Sequence, residues 1–195
     1  MSNVVVLHAV EVDPGKVWYP ALRDELAADG HRVEVVALPD PQAPVKEAWL
    51  QAAERFTATL DPTDTVLVGH SLGGVTVLRL LESHTGEPFA GAVLVATMAR
   101  GVGYDALEPF FDRGFSWSAI RASALGFRAL TALDDPVLAP APLAHVETFM
   151  TELGAIARIE PDGGHFPSWT PDQPPTLDSL PEASALVREV LPHHG

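Results

Sequence analysis

The chain has 195 residues, of which 47% are hydrophobic and 19% are charged, a composition that supports a sizeable core and excludes a largely disordered chain. Its formal net charge of −14 disfavours nucleic acids and anionic membrane surfaces as partners. The sequence contains no cysteine, which excludes disulfides, thiolate catalysis and cysteine-ligated metal sites.

The N-terminus passes directly from Met-Ser-Asn into a β-type run, so it lacks the basic and apolar segments of a signal peptide. No apolar stretch approaches the ~18 residues that a membrane span requires. We therefore expect a cytoplasmic protein that has no membrane partner.

Strand and helix patterns alternate along the chain. Short apolar, β-branched runs predict six strands, at residues 4–7, 33–38, 65–68, 92–96, 128–133 and 155–159. Helical spacing of apolar residues predicts helices between and after them, at residues 17–29, 45–60, 72–83, 142–153 and 181–191. This alternation is typical of an α/β fold with a parallel sheet and helices on both faces. We predict a single domain over residues 1–195, a three-layer αβα sandwich with about six parallel strands.

Residues 101–124 interrupt the alternation with an irregular segment that we expect to hold two short helices. Its aromatic side chains either form a small cap over an acyl pocket or pack as ordinary core; they are Phe110, Phe111, Phe115 and Trp117. Prolines concentrate at 136–142 and 161–175 and predict loops there. The second loop is long, as functional loops in compact domains often are.

A strand, a tight turn and a helix meet where the sequence reads Gly69-His70-Ser71-Leu72-Gly73-Gly74. This is the G-x-S-x-G motif in the strand–turn–helix context of a nucleophile elbow. The flanking glycines leave room where strand and helix approach, and the strained turn presents the serine hydroxyl above the sheet edge. We predict that Ser71 is a nucleophile and that His70 is a structural residue of the turn. The alternative is a glycine-rich turn in which Ser71 only caps the helix.

A serine nucleophile needs a histidine base oriented by a carboxylate, and both should lie on loops that follow later strands. His165 follows the sixth predicted strand, and Asp134 and Asp135 follow the fifth. The residue before a proline is disfavoured in the α conformation, so Asp135, before Pro136, begins an extended segment. We predict His165 as the base and Asp135 as the acid, while Asp134 caps a turn.

An oxyanion needs two N–H donors near the nucleophile. One is expected from the backbone of Leu72 and the other from the loop after the first strand, with Val10 preferred and Ala9 as the alternative. His8 either anchors this loop or touches substrate. We name His8, Ala9, Trp117 and Met98 as candidate substrate-binding residues, although Met98 also fits a core role.

The sequence resembles the small serine hydrolases related to retinoblastoma-binding protein nine, within the α/β-hydrolase superfamily. The resemblance rests on the elbow together with Trp18-Tyr19-Pro20, Leu38-Pro39-Asp40-Pro41 with Trp49, Asp134-Asp135-Pro136 and Gly164-His165-Phe166. It implies a minimal α/β-hydrolase fold with six strands and a triad of Ser71, Asp135 and His165. The chain departs from that family in the loop after the first strand, where Ala9 replaces the usual glycine, and in the Pro-rich 167–175 segment with Trp169.

These observations predict a serine hydrolase that cleaves an ester, amide or thioester bond of a small substrate through an acyl-enzyme. We expect no cofactor and no metal, since no metal-ligand spacing occurs and the terminal His193 and His194 read as a tail. Two alternatives remain open on the same scaffold, a non-catalytic protein-binding role and an acyltransferase. The sequence leaves the oligomeric state undetermined.

Overall fold

Six parallel strands form one sheet in the computed structural model, which describes residues 1–167 and 176–192. The strands are β1 Asn3–Leu7, β2 Arg32–Val36, β3 Thr65–His70, β4 Gly91–Val95, β5 Phe127–Ala132 and β6 Ile156–Glu160. Their order across the sheet is β2-β1-β3-β4-β5-β6. The strand β2 thus lies at one edge beside β1, and β4, β5 and β6 follow β3 in chain order to the other edge.

The helices between and after these strands are α1 Tyr19–Ala28, α2 Lys46–Thr57, α3 Leu72–Ser83, α4 Trp117–Ala122, α5 Pro142–Thr148 and α6 Pro181–Arg188. Short 3-10 turns occur at Pro62–Asp64 and Glu108–Phe111, and a π-helical turn at Phe149–Leu153 extends α5. The helices α1, α5 and α6 each carry a proline in their first turn, where its missing N–H would have no helical partner.

Two hydrophobic clusters, one on each face of the sheet, hold the layers together. Successive side chains of a strand point to opposite faces, so Val4 and Val6 pack with α1 and α6 while Val5 and Leu7 pack with α2 and α3. The strands β3 and β4 are buried along their whole length. Coverage of both faces explains why the central strands read as unbroken apolar runs.

The predicted fold class is confirmed: the sheet has six parallel strands with helices on both faces. The bounds differ in places. Strand β3 continues to His70 instead of ending at 68, because pairing with β4 persists up to the residue before Ser71. The helix predicted at 142–153 ends as α-helix at Thr148 and continues as the π-helical turn. The residues Trp169, His193 and His194 lie outside the described ranges.

The strand order places a crevice beside Ser71. The chain leaves β1 toward β2 and leaves β3 toward β4, so the loops that follow β1 and β3 diverge at the carboxyl ends of two neighbouring strands. Such a switch point is where ligands bind in open α/β sheets. The two loops that we expected to supply nucleophile and oxyanion donors are therefore neighbours.

Candidate active site

Ser71 occupies a strained turn between β3 and α3. Its backbone angles are φ 55° and ψ −121°, a combination that a residue with a β-carbon rarely adopts. The Ser71 N–H donates to the carbonyl of Val95 at 2.9 Å, which ties the turn to β4. The residue is 2% exposed, so its hydroxyl meets a confined space rather than bulk solvent.

Glycines on both sides of Ser71 are required by close backbone approach. A β-carbon at Gly69 would lie 2.3 Å from the Cα of Gly74. A β-carbon at Gly73 would lie 2.1 Å from the carbonyl oxygen of Leu7, the last residue of β1. Real atoms do not approach so closely, so only glycine lets the start of α3 pack directly against the loop after β1.

The structure brings His165 and Asp135 to Ser71. His165 Nε2 lies 2.7 Å from Ser71 Oγ, and His165 Nδ1 lies 2.8 Å from Asp135 Oδ2. Because a carboxylate only accepts hydrogen bonds, Nδ1 carries the proton that is donated to Asp135 and Nε2 is left to accept from the serine hydroxyl. This row of three side chains can take a proton from Ser71 and return it to a leaving group.

The two neighbouring aspartates have different partners. Asp135 is 1% exposed, and its second oxygen, Oδ1, accepts from the N–H groups of Val137 at 2.9 Å and Leu138 at 3.1 Å. Asp134 Oδ1 accepts from the N–H of Gly164 at 2.8 Å, which links the loop after β5 to the loop that carries His165. We expected Asp134 to cap a turn; instead it joins two loops.

The loop after β1 begins with two candidate oxyanion donors, the N–H groups of Ala9 and Val10, that differ in their hydrogen bonds. The Ala9 N–H donates to the Tyr19 hydroxyl at 3.0 Å, so it is already engaged. Within the part of the chain that the structure describes, the N–H groups of Val10 and Leu72 have no acceptor. This difference favours Val10 over Ala9 as the partner of Leu72 in binding an oxyanion.

His8 is buried and serves as the anchor of this loop, which corrects its placement among the substrate-binding residues. The side chain has no exposed surface. Its Nε2 accepts from the Leu38 N–H at 3.0 Å, so Nδ1 carries the proton and donates to the Ala9 carbonyl at 2.8 Å. Burial lowers the pKa of His8, which keeps the ring neutral in these roles. A peptide is planar and trans, so fixing the Ala9 carbonyl also fixes the direction of the Val10 N–H.

Comparison with known proteins decides the family. Residues 4–169 match the serine hydrolase family, a span that includes the elbow and both loops. The chain belongs to the serine hydrolase family. A curated relative, YdeN of Bacillus subtilis (strain 168), is 28% identical over 167 residues, which cover 85% of this chain and 86% of YdeN.

Two further similarities extend along this serine hydrolase. Serine hydrolase RBBP9 of Rattus norvegicus is 26% identical over 152 residues, covering 76% of this chain and 77% of the relative. The crystal structure of the ydeN gene product from B. subtilis superposes with a TM-score of 0.87 at 26% identity and covers 97% of this chain and 98% of that one. The expected resemblance to small α/β-hydrolases is therefore confirmed.

A cleft of about 290 Å³ opens beside Ser71 and His165 in this serine hydrolase. Residues 9–12 form one wall, and Tyr104, Leu107 and Val137 lie among the apolar residues of the others. Glu11 is the one side chain among Asp, Glu, Lys and Arg on the described part of the lining. The sequence did not predict that Tyr104, Leu107 and Val137 line the cleft. Val137 could have been found, since it follows β5 and ligands bind beyond the carboxyl ends of parallel strands.

Two expected pocket residues lie elsewhere. Met98 has no exposed surface and belongs to the core cluster under α3, so it fills the core. Trp117 packs its ring 4.8 Å from that of Phe115 and 6.2 Å from that of Phe149. Neither is on the described lining of the cleft, whereas Ala9 is. The four aromatic side chains singled out in this segment, Phe110, Phe111, Phe115 and Trp117, therefore pack in or against the core, whereas Tyr104 lies on the lining of the cleft.

His145 shows how burial couples stability to pH. It is 2% exposed and accepts from the Ala99 N–H through Nδ1 at 3.0 Å. Burial, followed by the charge of Arg100, lowers its pKa from 6.5 to about 4. Between these pH values the His145 side chain is protonated in the unfolded chain and neutral in the folded protein. The free energy of unfolding therefore decreases as pH falls through this window.

The variant His145→Asn keeps a hydrogen-bond acceptor near the Nδ1 position and removes the titration. We expect it to take up about one proton fewer than the wild type on unfolding at about pH 5.5. Urea unfolding at closely spaced pH values gives this number from the slope of the free energy of unfolding. At about pH 7.5 both chains should have equal slopes. Equal slopes at the lower pH as well would contradict the buried, neutral state of His145.

No helix in residues 1–167 and 176–192 has the length and hydropathy needed to cross a membrane. Within the same ranges, no three or more His, Asp and Glu side chains group as metal ligands would.

Proposed function

We propose that this serine hydrolase is a carboxylesterase-like enzyme that cleaves an ester, or a related amide or thioester, of a small substrate through an acyl-enzyme. The observation that carries the proposal is the row in which His165 lies 2.7 Å from Ser71 and 2.8 Å from Asp135, at the wall of an apolar cleft. The serine hydrolase names of the matching family and of RBBP9 support hydrolysis.

In the first half-reaction, His165 Nε2 takes the proton of Ser71 as Oγ attacks the carbonyl carbon of the substrate. The carbonyl oxygen becomes an oxyanion that accepts from the N–H groups of Val10 and Leu72. The charge of Asp135 stabilises the imidazolium that forms. His165 then gives its proton to the leaving alkoxide as the C–O bond breaks, which leaves an acyl group on Ser71.

In the second half-reaction, a water molecule enters where the alcohol left. His165 takes a proton from this water as its oxygen attacks the acyl carbon, and the same two N–H groups hold the second oxyanion. The bond to Ser71 Oγ then breaks, the serine recovers its proton from His165, and a carboxylic acid leaves. Both halves use the same three side chains.

The cleft favours short, uncharged acyl groups. Its volume of about 290 Å³ lies at the small end of ligand sites, and Tyr104 and Leu107 lie on its lining. We expect kcat/KM across a series of p-nitrophenyl esters to be higher for butyrate than for dodecanoate. A profile that rises steadily with acyl length would contradict a small acyl pocket, and no turnover above buffer for any ester would contradict the esterase proposal.

Charge at the cleft gives a second expected selectivity. Glu11 supplies a negative charge, and the chain carries a net charge of −14. An acyl group that ends in a carboxylate should therefore be disfavoured. We expect p-nitrophenyl hemisuccinate to show a kcat/KM about tenfold below that of the butyrate ester at low ionic strength.

The variant Glu11→Gln tests this selectivity with little change of shape. It should narrow the gap between the two esters while leaving kcat/KM for butyrate within about twofold of the wild type. Glu47→Gln, on the exposed surface of α2, removes the same charge outside the lining and is the matched control. An equal gap in all three proteins would contradict a role for Glu11.

A further inference from the structure

A chain of buried polar groups, separate from the row of Ser71, His165 and Asp135, joins the two loops that flank Ser71. The Ala9 N–H donates to the Tyr19 hydroxyl at 3.0 Å, and that hydroxyl lies 2.7 Å from His70 Nδ1. On the far side of the ring, His70 Nε2 lies 2.8 Å from the carbonyl oxygen of His165. Tyr19 has no exposed surface and His70 is 1% exposed.

The positions of the hydrogen atoms in these bonds follow from the His165 carbonyl, which can only accept, and from the neutral state of the His70 ring. A carbonyl oxygen only accepts, so His70 Nε2 carries a proton and donates to His165. Burial lowers the pKa of His70 to about 3, so the ring is neutral and its Nδ1 accepts. The Tyr19 hydroxyl must then donate to Nδ1, and burial raises the pKa of Tyr19, which keeps that proton in place. Every donor and acceptor is satisfied in this one arrangement.

Each end of this series of hydrogen bonds holds backbone next to a group that the proposed reaction uses. At one end Ala9 is held through its N–H by Tyr19 and through its carbonyl by His8, which orients the following Val10 N–H. At the other end the backbone of His165 is held while its side chain reaches Ser71. The neighbouring Trp18 adds a bond on the same loop, from its Nε1–H to the Phe166 carbonyl at 2.8 Å.

We propose that Tyr19 and His70 are positioning residues that hold the oxyanion loop and the His165 loop at a fixed separation across Ser71. The proposal rests on the esterase function proposed above. Tyr19 is not on the described lining of the cleft. His70 is on it, but its two ring nitrogens bond the Tyr19 hydroxyl and the His165 carbonyl, so both residues act through the backbones they hold. Because a misplacement of about 1 Å can cost roughly a hundredfold in rate, this separation affects turnover more than substrate binding.

The variant Tyr19→Phe removes the hydroxyl and keeps the ring that packs against Trp18 at 4.7 Å. We expect kcat for p-nitrophenyl butyrate to fall by about 10–100-fold with KM within about twofold of the wild type. The matched control is Thr57→Val, which removes a buried hydroxyl that donates to the Ala53 carbonyl at 2.9 Å within α2. Thermal unfolding of both variants shows whether any loss of stability is comparable.

Rescue by a conservative variant separates positioning from packing. The side-chain amide of a glutamine can place an N–H near His70 Nε2 and donate to the His165 carbonyl, whereas leucine cannot. His70→Gln should therefore keep a kcat at least about tenfold above that of His70→Leu. If His70→Leu does not fold, Tyr19→Phe and its control decide the matter alone.

The outcomes are distinguishable. If the wild type turns over the ester but Tyr19→Phe has the kcat of Thr57→Val, the positioning role is overturned and the esterase function stands. A loss of kcat/KM in Tyr19→Phe that comes only from a higher KM, with kcat unchanged, would likewise overturn the positioning role. If the wild type itself gives no turnover, the esterase function fails and the positioning role falls with it.

Discussion

Replacing Ser71 by alanine is expected to lower kcat/KM for p-nitrophenyl butyrate by about 10⁶-fold. The variant keeps a β-carbon, so the backbone strain at φ 55° and the packing of the elbow are unchanged. It removes only the oxygen that lies 2.7 Å from His165 Nε2. Without that oxygen no acyl-enzyme can form, and the remaining rate comes from the oxyanion donors and binding alone.

Ser83→Ala is the matched control, since Ser83 lies at the far end of the same helix, α3, and bonds the carbonyl of Arg79 at 3.2 Å. This variant should retain kcat/KM within about twofold, because surface substitutions away from a site change little. Thermal unfolding should give both variants melting temperatures close to that of the wild type. A Ser71→Ala protein that kept more than about a tenth of the activity would contradict nucleophilic catalysis by Ser71.

Replacing Asp135 by asparagine is expected to lower kcat by about 10⁴-fold with little change in KM. An asparagine can still accept from the Val137 and Leu138 N–H groups through its oxygen. Its amide nitrogen then faces His165 Nδ1 and donates to it, so the imidazole proton moves to Nε2. In that tautomer His165 cannot take the proton of Ser71.

The neighbouring aspartate offers a control with the same change in charge. Asp134→Asn keeps an oxygen that can accept from the Gly164 N–H, so we expect kcat within about tenfold of the wild type. The comparison distinguishes a specific role of Asp135 from a general loss of negative charge beside His165. Equal losses in the two variants, or a larger one at position 134, would contradict the assignment.

The elbow could be predicted because its requirements are local. A strand, small residues at Gly69 and Gly73, and a helix are all visible in one stretch of sequence. Glycine is needed at position 73 because a β-carbon there would lie 2.1 Å from the Leu7 carbonyl oxygen. His165 and Asp135 could be placed by a topological rule, since loops that follow parallel strands gather at one edge of the sheet. Local pattern and topology together thus predicted which three side chains meet.

Residues whose role depends on burial could not be assigned in the same way. His8 follows a strand end just as a substrate-binding residue would, and only the fold shows that its ring bonds Leu38 on the neighbouring loop. Tyr19 could be recognised in the sequence only as part of the Trp18-Tyr19-Pro20 motif, which does not reveal its hydrogen bonds. The position of residues 101–124 depends on Arg79, a residue of α3 that is 3% exposed and donates to the carbonyls of Phe110 and Arg113. Such long-range contacts leave no periodic signal in a single sequence.

The nucleophilic role of Ser71 is tested most directly by labelling the folded protein with a fluorophosphonate and locating the adduct by peptide mass. Such a probe bonds a serine oxygen whose proton a neighbouring base removes. The predicted result is one adduct per chain, on Ser71, lost in Ser71→Ala and formed at least about a hundredfold more slowly in His165→Ala. An adduct on another residue, no adduct, or an unchanged rate in His165→Ala would contradict it.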